Sequence, residues 1–511
     1  MNTSISYLHF EELVMFRRIS TSLSYLLVSI SLASCSGATD SINALAESIN
    51  NANNTTLESN NVTNTNAVVI EPVVTEPVVT EPVVAAPINA ACSALYSNTF
   101  ALVSGLDQSP IANLSKPVKG VSALDPSYGT CMTRVTDFAN EGPAGFARND
   151  YSRRQAFNAD ESFLLIYAQD GYWHLYDATD LSYIRKLSLG GGSVEPQWHP
   201  TDPNLLFKLP NNGGLSIMTH NVLTDAVVTV ADFRNVASIN GYPGVTSIQG
   251  IWPNAARIST KNEGSPSKDA RYWGLQVENS AFTASYGAIT YDLQTNTITG
   301  VYDFAANGTG GPDHISMSPS GDYVVPSWNA NKCANATNLG TTTNPCGLMA
   351  FSRDFSTAVG LSEIGPHSDV TTDINGNDVI VISNYQSGFV ESIDLATGQV
   401  TNLFNIYVNN SATAMHISGK AYNKPGWVLI STYATTQADQ WWTKKIIAVE
   451  IAANPRVLNI SHTYSNEVSY WTQPQATVNK DFTKILFNSN WGSNSEDTDA
   501  YMIELPTTAL D

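Results

Sequence analysis

Residues 312–325 read PDHISMSPSGDYVV: a polar lead carrying His314, a short strand, a Ser-Pro-Ser-Gly turn, and an apolar strand. Working outward, the same succession recurs as RRQAFNADESFLLIY (153–167), EPQWHPTDPNLLFKL (195–209), KNEGSPSKDARYWGLQV (261–277), HSDVTTDINGNDVIVIS (367–383), HISGKAYNKPGWVLIS (416–431) and QPQATVNKDFTKILFN (473–488). Each unit runs on into a third strand, among them GYWHLYDA, GAITYDLQTN and KKIIAVEIAAN. Most have a fourth, such as AVVTVADF, TITGVYDF and QVTNLFNI. A small sheet of this kind cannot bury its apolar faces alone, so neighbouring units must stack.

Seven units, roughly 40 to 65 residues apart, predict an all-β chain folded as a seven-bladed β-propeller over residues 91–511. The seventh lacks a fourth strand at the chain end, Asp511. TRVTDF (133–138) stands before the first unit and resembles VTVADF of the second, so it is expected to pair into the last blade and close the ring. Closure removes an edge that would otherwise invite aggregation.

Charge narrows the partners. Lys and Arg number 25 against 45 Asp and Glu, a net charge of -20, which excludes broad attraction to nucleic acid or to an anionic membrane surface. An anionic ligand must meet a local basic cluster. The N-terminal stretch MFRRISTSLSYLLVSISLASCSG (15–37) has a basic start, a short apolar run and small residues before Cys35, as an export signal does. Leu32-Ala33-Ser34-Cys35 resembles the lipobox of bacterial lipoproteins, which implies a signal over residues 1–35 and acylation of Cys35. Glu11 and Glu12 make Met15 a better start than Met1, and Ser36 fits sorting to the outer membrane. Residues 36–90, an Asn/Thr/Ser tract followed by EPVVTEPVVTEPVVAAP, are predicted to be a disordered linker.

Without Cys35, an even set remains: Cys92, Cys131, Cys333 and Cys346. Three pairings are open, and sequence proximity favours 92–131 with 333–346, in an oxidising compartment. No Cys-x-x-Cys occurs, which argues against a zinc knuckle. No Gly-x-Ser-x-Gly, P-loop or His-Glu-x-x-His pattern appears either.

Aligning the units on their turns places Arg154, Glu195, Lys261, His314, His367, His416 and Gln473 at one rim of the channel. His314, His367 and His416 would lie on adjacent blades with Gln473 next, a donor set for a divalent ion such as Ca, Mn or Zn. The opposite arc is basic, with Arg153, Arg154, Arg257 and Lys261. The long insertion 235–261 is expected to fold over the mouth and bring Tyr242, Trp252 and Arg257 to it. Asp313 and Asp369, beside the rim histidines, are a candidate carboxylate pair for glycoside hydrolysis.

The Ser-Pro-Ser-Gly and His-Pro-Thr-Asp-Pro turns resemble the repeats of TolB-type and WD40-like bacterial propellers, and the architecture is similar to oligogalacturonate lyases and propeller ulvan lyases. That resemblance implies β-elimination on an acidic, uronate-bearing polysaccharide, with histidines and a glutamine on the rim around a divalent metal. In that reading Arg154 and Arg257 neutralise the uronate carboxylate, a rim histidine (His314, His367 or His416) is the base, and Tyr242 is the acid. Arg153, Lys261, Trp252 and Gln473 bind substrate. A different class of function remains beside it: a non-catalytic outer-membrane scaffold or glycan-binding propeller. A lipid-anchored monomer is expected in either case.

Overall fold

The computed structural model describes residues 90–141 and 145–511. The signal with Cys35 and the linker through residue 89 lie outside the described residues. Among those described, the regular secondary structure is nearly all strand, arranged as successive antiparallel sets, and the fold is a β-propeller.

The fourth set shows the plan: His314–Met317, Tyr323–Ser327, Leu348–Ser352 and Ala358–Ser362 pair in chain order, each antiparallel to the last. The second, third, fifth and sixth repeat it. In the first, the bridge Phe157↔Leu164 begins a set that continues through Phe163–Ala168, Trp173–Asp177 and Tyr183–Lys186. The last set is completed from the other end of the chain, because Cys131–Arg134 pairs antiparallel with Asp499–Glu504. A closing strand is therefore present, two residues earlier than expected: it runs over Cys131–Arg134 and shares only Thr133 and Arg134 with TRVTDF.

Hydrogen bonds between neighbouring sets trace a closed ring. The Trp198 indole donates to Ala156 O at 3.0 Å, the Gln197 amide to Gly264 O at 3.1 Å, and Met317 N to Ser265 O at 2.9 Å. Onward, Ser320 N donates to Asp378, Gly419 N to Asp369, Ala476 N to the Ser431 hydroxyl, and the Thr477 hydroxyl to Arg154 O at 2.8 Å. Where the third and fourth sets touch, the Ile315 carbonyl occupies the place a side chain on residue 264 would need, so only glycine fits there.

Apolar clusters fill the spaces between consecutive sets. Phe207 and Ile217 meet Trp273 and Leu275, while Ala288 and Tyr302 meet Ile315, Met317 and Val324. Strands sandwiched this way read as continuous apolar runs; Trp427–Tyr433 is buried at every position. The outer strand Val227–Asp232 is exposed along most of its length.

The insertion does not cover the mouth. Ser238–Ile239 pairs parallel with the outer strand of the third set, and the Trp252 indole donates to Asp303 at 2.9 Å inside the core that also packs Tyr242. Tyr242 and Trp252 thus brace the periphery, because the apolar content of the loop is drawn to the open edge of that sheet.

Disulfides join Cys92 to Cys131 and Cys333 to Cys346, the pairing favoured by proximity. The first anchors the closing strand to the segment before it. Replacing both Cys92 and Cys131 by serine is expected to lower stability by about 2–4 kcal/mol, measured by urea unfolding against the reduced and oxidised parent.

The segment before the closing strand also pins the sixth set. Val103–Ser104 pairs with its outer strand, and Asp125 accepts from the Tyr464 hydroxyl at 2.8 Å and the Ser461 hydroxyl at 3.1 Å. Beside them His462 is buried, and burial pushes its pKa down to about 4, with Asp125 opposing. The unfolded chain therefore takes up a proton between about pH 6.5 and 4 that the folded chain refuses, so stability falls as pH falls through that window. The expected loss is about 3 kcal/mol. His462→Gln should flatten this slope in denaturant titrations run across the window; an unchanged slope would rule the group out as its source.

Candidate functional site

Turn hydrogen bonds give a structural alignment of the inner strands. Asn158 N bonds Phe163 O, His199 N bonds Leu205 O, Ser267 N bonds Tyr272 O, Ser318 N bonds Tyr323 O, Asp373 N bonds Asn377 O and Asn479 N bonds Lys484 O. Four residues earlier stand Arg154, Glu195, Glu263, His314, Asp369 and Gln475. Lys261, His367 and Gln473, assigned to the ring from sequence, are therefore each two residues upstream of the ring position that the turns define. A slip of two preserves the face of a strand but displaces the residue by about 7 Å along it. In the third set the cause is visible: Lys261 and Asn262 are both left-handed, φ 64° and 68°, and break the strand where counting assumed continuity.

The near mouth is built around Arg153, which the first set places below the rim. Its guanidinium lies 3.1 Å from Glu263 and over the Tyr151 ring. Glu263 is 3.9 Å from His314 Nδ1, and Asp313 is 3.3 Å from the same nitrogen. His314 is 6% exposed, against 33% for Glu263 and 45% for Asp313, so a buried imidazole and cation lie under two accessible carboxylates. Burial, then Arg153, hold the His314 pKa below its ordinary value while the carboxylates oppose. Burial works against the charge of Arg153, yet Tyr151, Glu263, Asp369 and Asp313 raise its pKa. Burial also lifts Tyr151 well above the usual phenol range, which keeps it protonated.

The other two histidines stack on each other with ring centroids 4.9 Å apart. His367 Nδ1 is 2.9 Å from Met415 O. A carbonyl only accepts, so Nδ1 carries the proton and Nε2 is the basic nitrogen. His416 Nε2 meets Gln473 Oε1 at 2.8 Å, its buried Nδ1 has no hydrogen-bond partner among the described residues, and Tyr433 and Tyr151 pack on the ring. Burial first, and then His367, drive the His416 pKa well below its ordinary value.

This arrangement corrects the proposed ligand set. Ligand nitrogens around one ion lie about 2 Å from it and so within about 4 Å of each other. Among the described residues His314, His367 and His416 do not bring three donor atoms together at such a separation, and Gln473 is bonded to His416 Nε2. Donor atoms that do converge, within 4.8 Å of one another, belong to Glu263, Asp313 and His314. Two carboxylates and one imidazole suit a divalent ion such as manganese.

The basic arc is largely neutralised. Arg154 is 5% exposed, bonds Asp150 at 2.6 Å, Asn262 O at 2.9 Å and the Pro196 carbonyl, and ties the first three sets together. Arg257 lies 3.6 Å from Glu278 and 4.0 Å from Glu195, stacked on Phe282, and Lys261 is 3.0 Å from Glu278. Nor do Asp313 and Asp369 form an accessible acid pair, because buried Asp369 holds Lys420 at 2.9 Å and accepts from Gly419 N. His174, His220 and His199 are structural, paired with Asp170, Asp225 and the Asp202 backbone.

Sequence reasoning missed Tyr151, Glu263 and Arg148. Tyr151 lies in the same short run, YSRR, as Arg153, and Glu263 in KNEG, so both were legible as polar residues flanking an inner strand. Arg148 is 1% exposed, donates to the carbonyls of Asn149 and Asp150 and to Gln475, and stacks on Trp471. It braces the last set against the first.

Comparison with protein families and with curated protein sequences finds no match. Among solved structures, an oligogalacturonate lyase in complex with manganese aligns with TM-score 0.52 and 15% identity, covering 78% of this chain and 98% of that one. An oligogalacturonate lyase from Vibrio parahaemolyticus aligns with TM-score 0.49 and 12% identity over 76% and 99%. At such identity the likeness concerns the fold: this chain is a β-propeller similar in architecture to the manganese-bound enzyme.

Proposed function

We propose that the chain is a polysaccharide lyase cleaving an acidic, uronate-bearing glycan by β-elimination at the near mouth. The observation that carries this reading is the environment of Arg153: a buried, charged guanidinium whose carboxylate partner, Glu263, is itself partly exposed. An incoming uronate carboxylate can replace Glu263 there and accept paired hydrogen bonds.

Removing the proton beside a carboxylate requires that the carboxylate's charge be neutralised. Arg153 supplies that. Glu263, Asp313 and His314 would hold a divalent ion, which when bound adds to the same neutralisation; the similar lyase structure carries manganese. His367, with its basic Nε2 fixed by the Met415 carbonyl, takes the proton from carbon. The carbon–hydrogen electron pair becomes the new double bond as the glycosidic carbon–oxygen bond breaks. Protonated Tyr151, in place of Tyr242, gives its proton to the leaving oxygen. The strand sets are in this reading seven blades around one channel, on a monomeric outer-membrane lipoprotein acylated at Cys35 and held off the membrane by its linker.

Incubation with a panel of uronate polysaccharides, with and without chelator, tests this through the ultraviolet absorbance of unsaturated uronate ends. A rise that chelator suppresses is expected. No rise with any polymer moves the function to the second reading, a glycan-binding propeller without chemistry. That reading draws on one observation: His367 and His416 carry hydrogen bonds between neighbouring sets, as purely structural histidines do.

A further inference from the structure

The inner strands have a second end. About 15 Å from the His314 rim, a strand length of some four or five residues, their turns enclose a cavity of about 110 Å³. Its wall includes Gln155, Gln197, Trp198, Lys268, Lys420 and Lys480, drawn from the first, second, third, sixth and seventh sets. In a chain of net charge -20, this wall brings three ammonium side chains to one cavity.

The compensation of these charges is uneven. Lys420 is held by Asp369 at 2.9 Å. Lys480 donates to Ala159 O at 2.7 Å, and among the described residues neither it nor Lys268 has a carboxylate within ion-pair distance. The one acid in the wall, Glu161, is already paired with Lys484 at 3.1 Å and bonded by Asn479. Clustered like charges in a concave wall set up a positive potential that an anion relieves. The space exceeds the roughly 30 Å³ share of one water several-fold, which admits a carboxylate or sulfate group.

We propose that this far mouth is an anion site that takes a single carboxylate or sulfate group of an acidic saccharide, separate from the chemistry at the near mouth. Lys268 and Lys480 supply the uncompensated charge, and Lys420 with the Gln155 and Gln197 amides lines the floor. The site does not depend on the lyase reading.

Calorimetric titration of the full chain with sodium glucuronate and with sodium sulfate, at fixed ionic strength, tests it. Saturable one-to-one binding of at least one probe to Arg153→Gln, whose near mouth has lost its guanidinium, is expected, weakened at least tenfold when Lys268→Gln/Lys480→Gln is added to that background. The probe bound more tightly tells carboxylate from sulfate. Lys268 is exposed and Lys480 half-buried, so the double variant should fold, which circular dichroism checks. The proposal is overturned by absence of saturable binding of both probes to Arg153→Gln, or by binding to Arg153→Gln that survives the added double lysine replacement.

Discussion

His367→Gln is expected to slow the release of unsaturated uronate ends by about two to four orders of magnitude, the usual contribution of a general base. The amide keeps a donor for the Met415 carbonyl and much of the stacking on His416, so the fold should persist while the basic nitrogen is lost. A structural histidine would give a different pattern: stability would drop and the rate per folded molecule would stay. Arg153→Gln tests the neutralising charge, with an expected loss of about 10²–10³ in rate. A parent-like rate in both variants would place the chemistry, if any, elsewhere.

Lys420→Met carries the largest expected cost to stability, about 3–5 kcal/mol, since it leaves Asp369 ionised and buried without its cation. Both residues are nearly inaccessible, at 2% and 3% exposure, and their nitrogen and oxygen are 2.9 Å apart. Burial works most strongly against the Lys420 charge, but Asp369 and Tyr422 together offset it and the pKa is raised. The stabilisation is therefore complete below the ordinary lysine pKa and is lost as pH rises through the higher folded value. Lys424, paired with Asp511 at 2.8 Å on the surface, is the control: Lys424→Met should cost at most about 1 kcal/mol. Urea unfolding of the two variants side by side measures the difference, and equal losses would refute the account of the buried pair.

His314, Arg153 and His367 stand just ahead of a turn and an apolar strand, but Arg153 was assigned to the arc opposite the histidines, whereas it and His314 both lie beside Glu263. The metal ligands were not legible as a set. His416 was paired with His367 on spacing alone, yet the two rings lie face to face, and Gln473 is bound to His416. Glu263 was passed over for Lys261 because a pair of left-handed residues interrupts the strand between them. Tyr242 and Trp252 were expected at the mouth because their loop is long, whereas an apolar loop next to an open sheet edge packs against that edge.

The sequence by itself pointed to the strand repeats, to a closing strand near residues 133–138, found at Cys131–Arg134, and to the favoured one of three disulfide pairings. These depend on local alternation, turn residues and short chain separation, which a linear reading captures. Tertiary structure alone decided which polar residues face one another across the channel. Glu263 meets Arg153 from another set, and Asp369 meets Lys420, over separations of 110 and 51 positions. Such partnerships depend on the register between strands that are neighbours in space only, where a shift of two residues keeps the face and changes the partner.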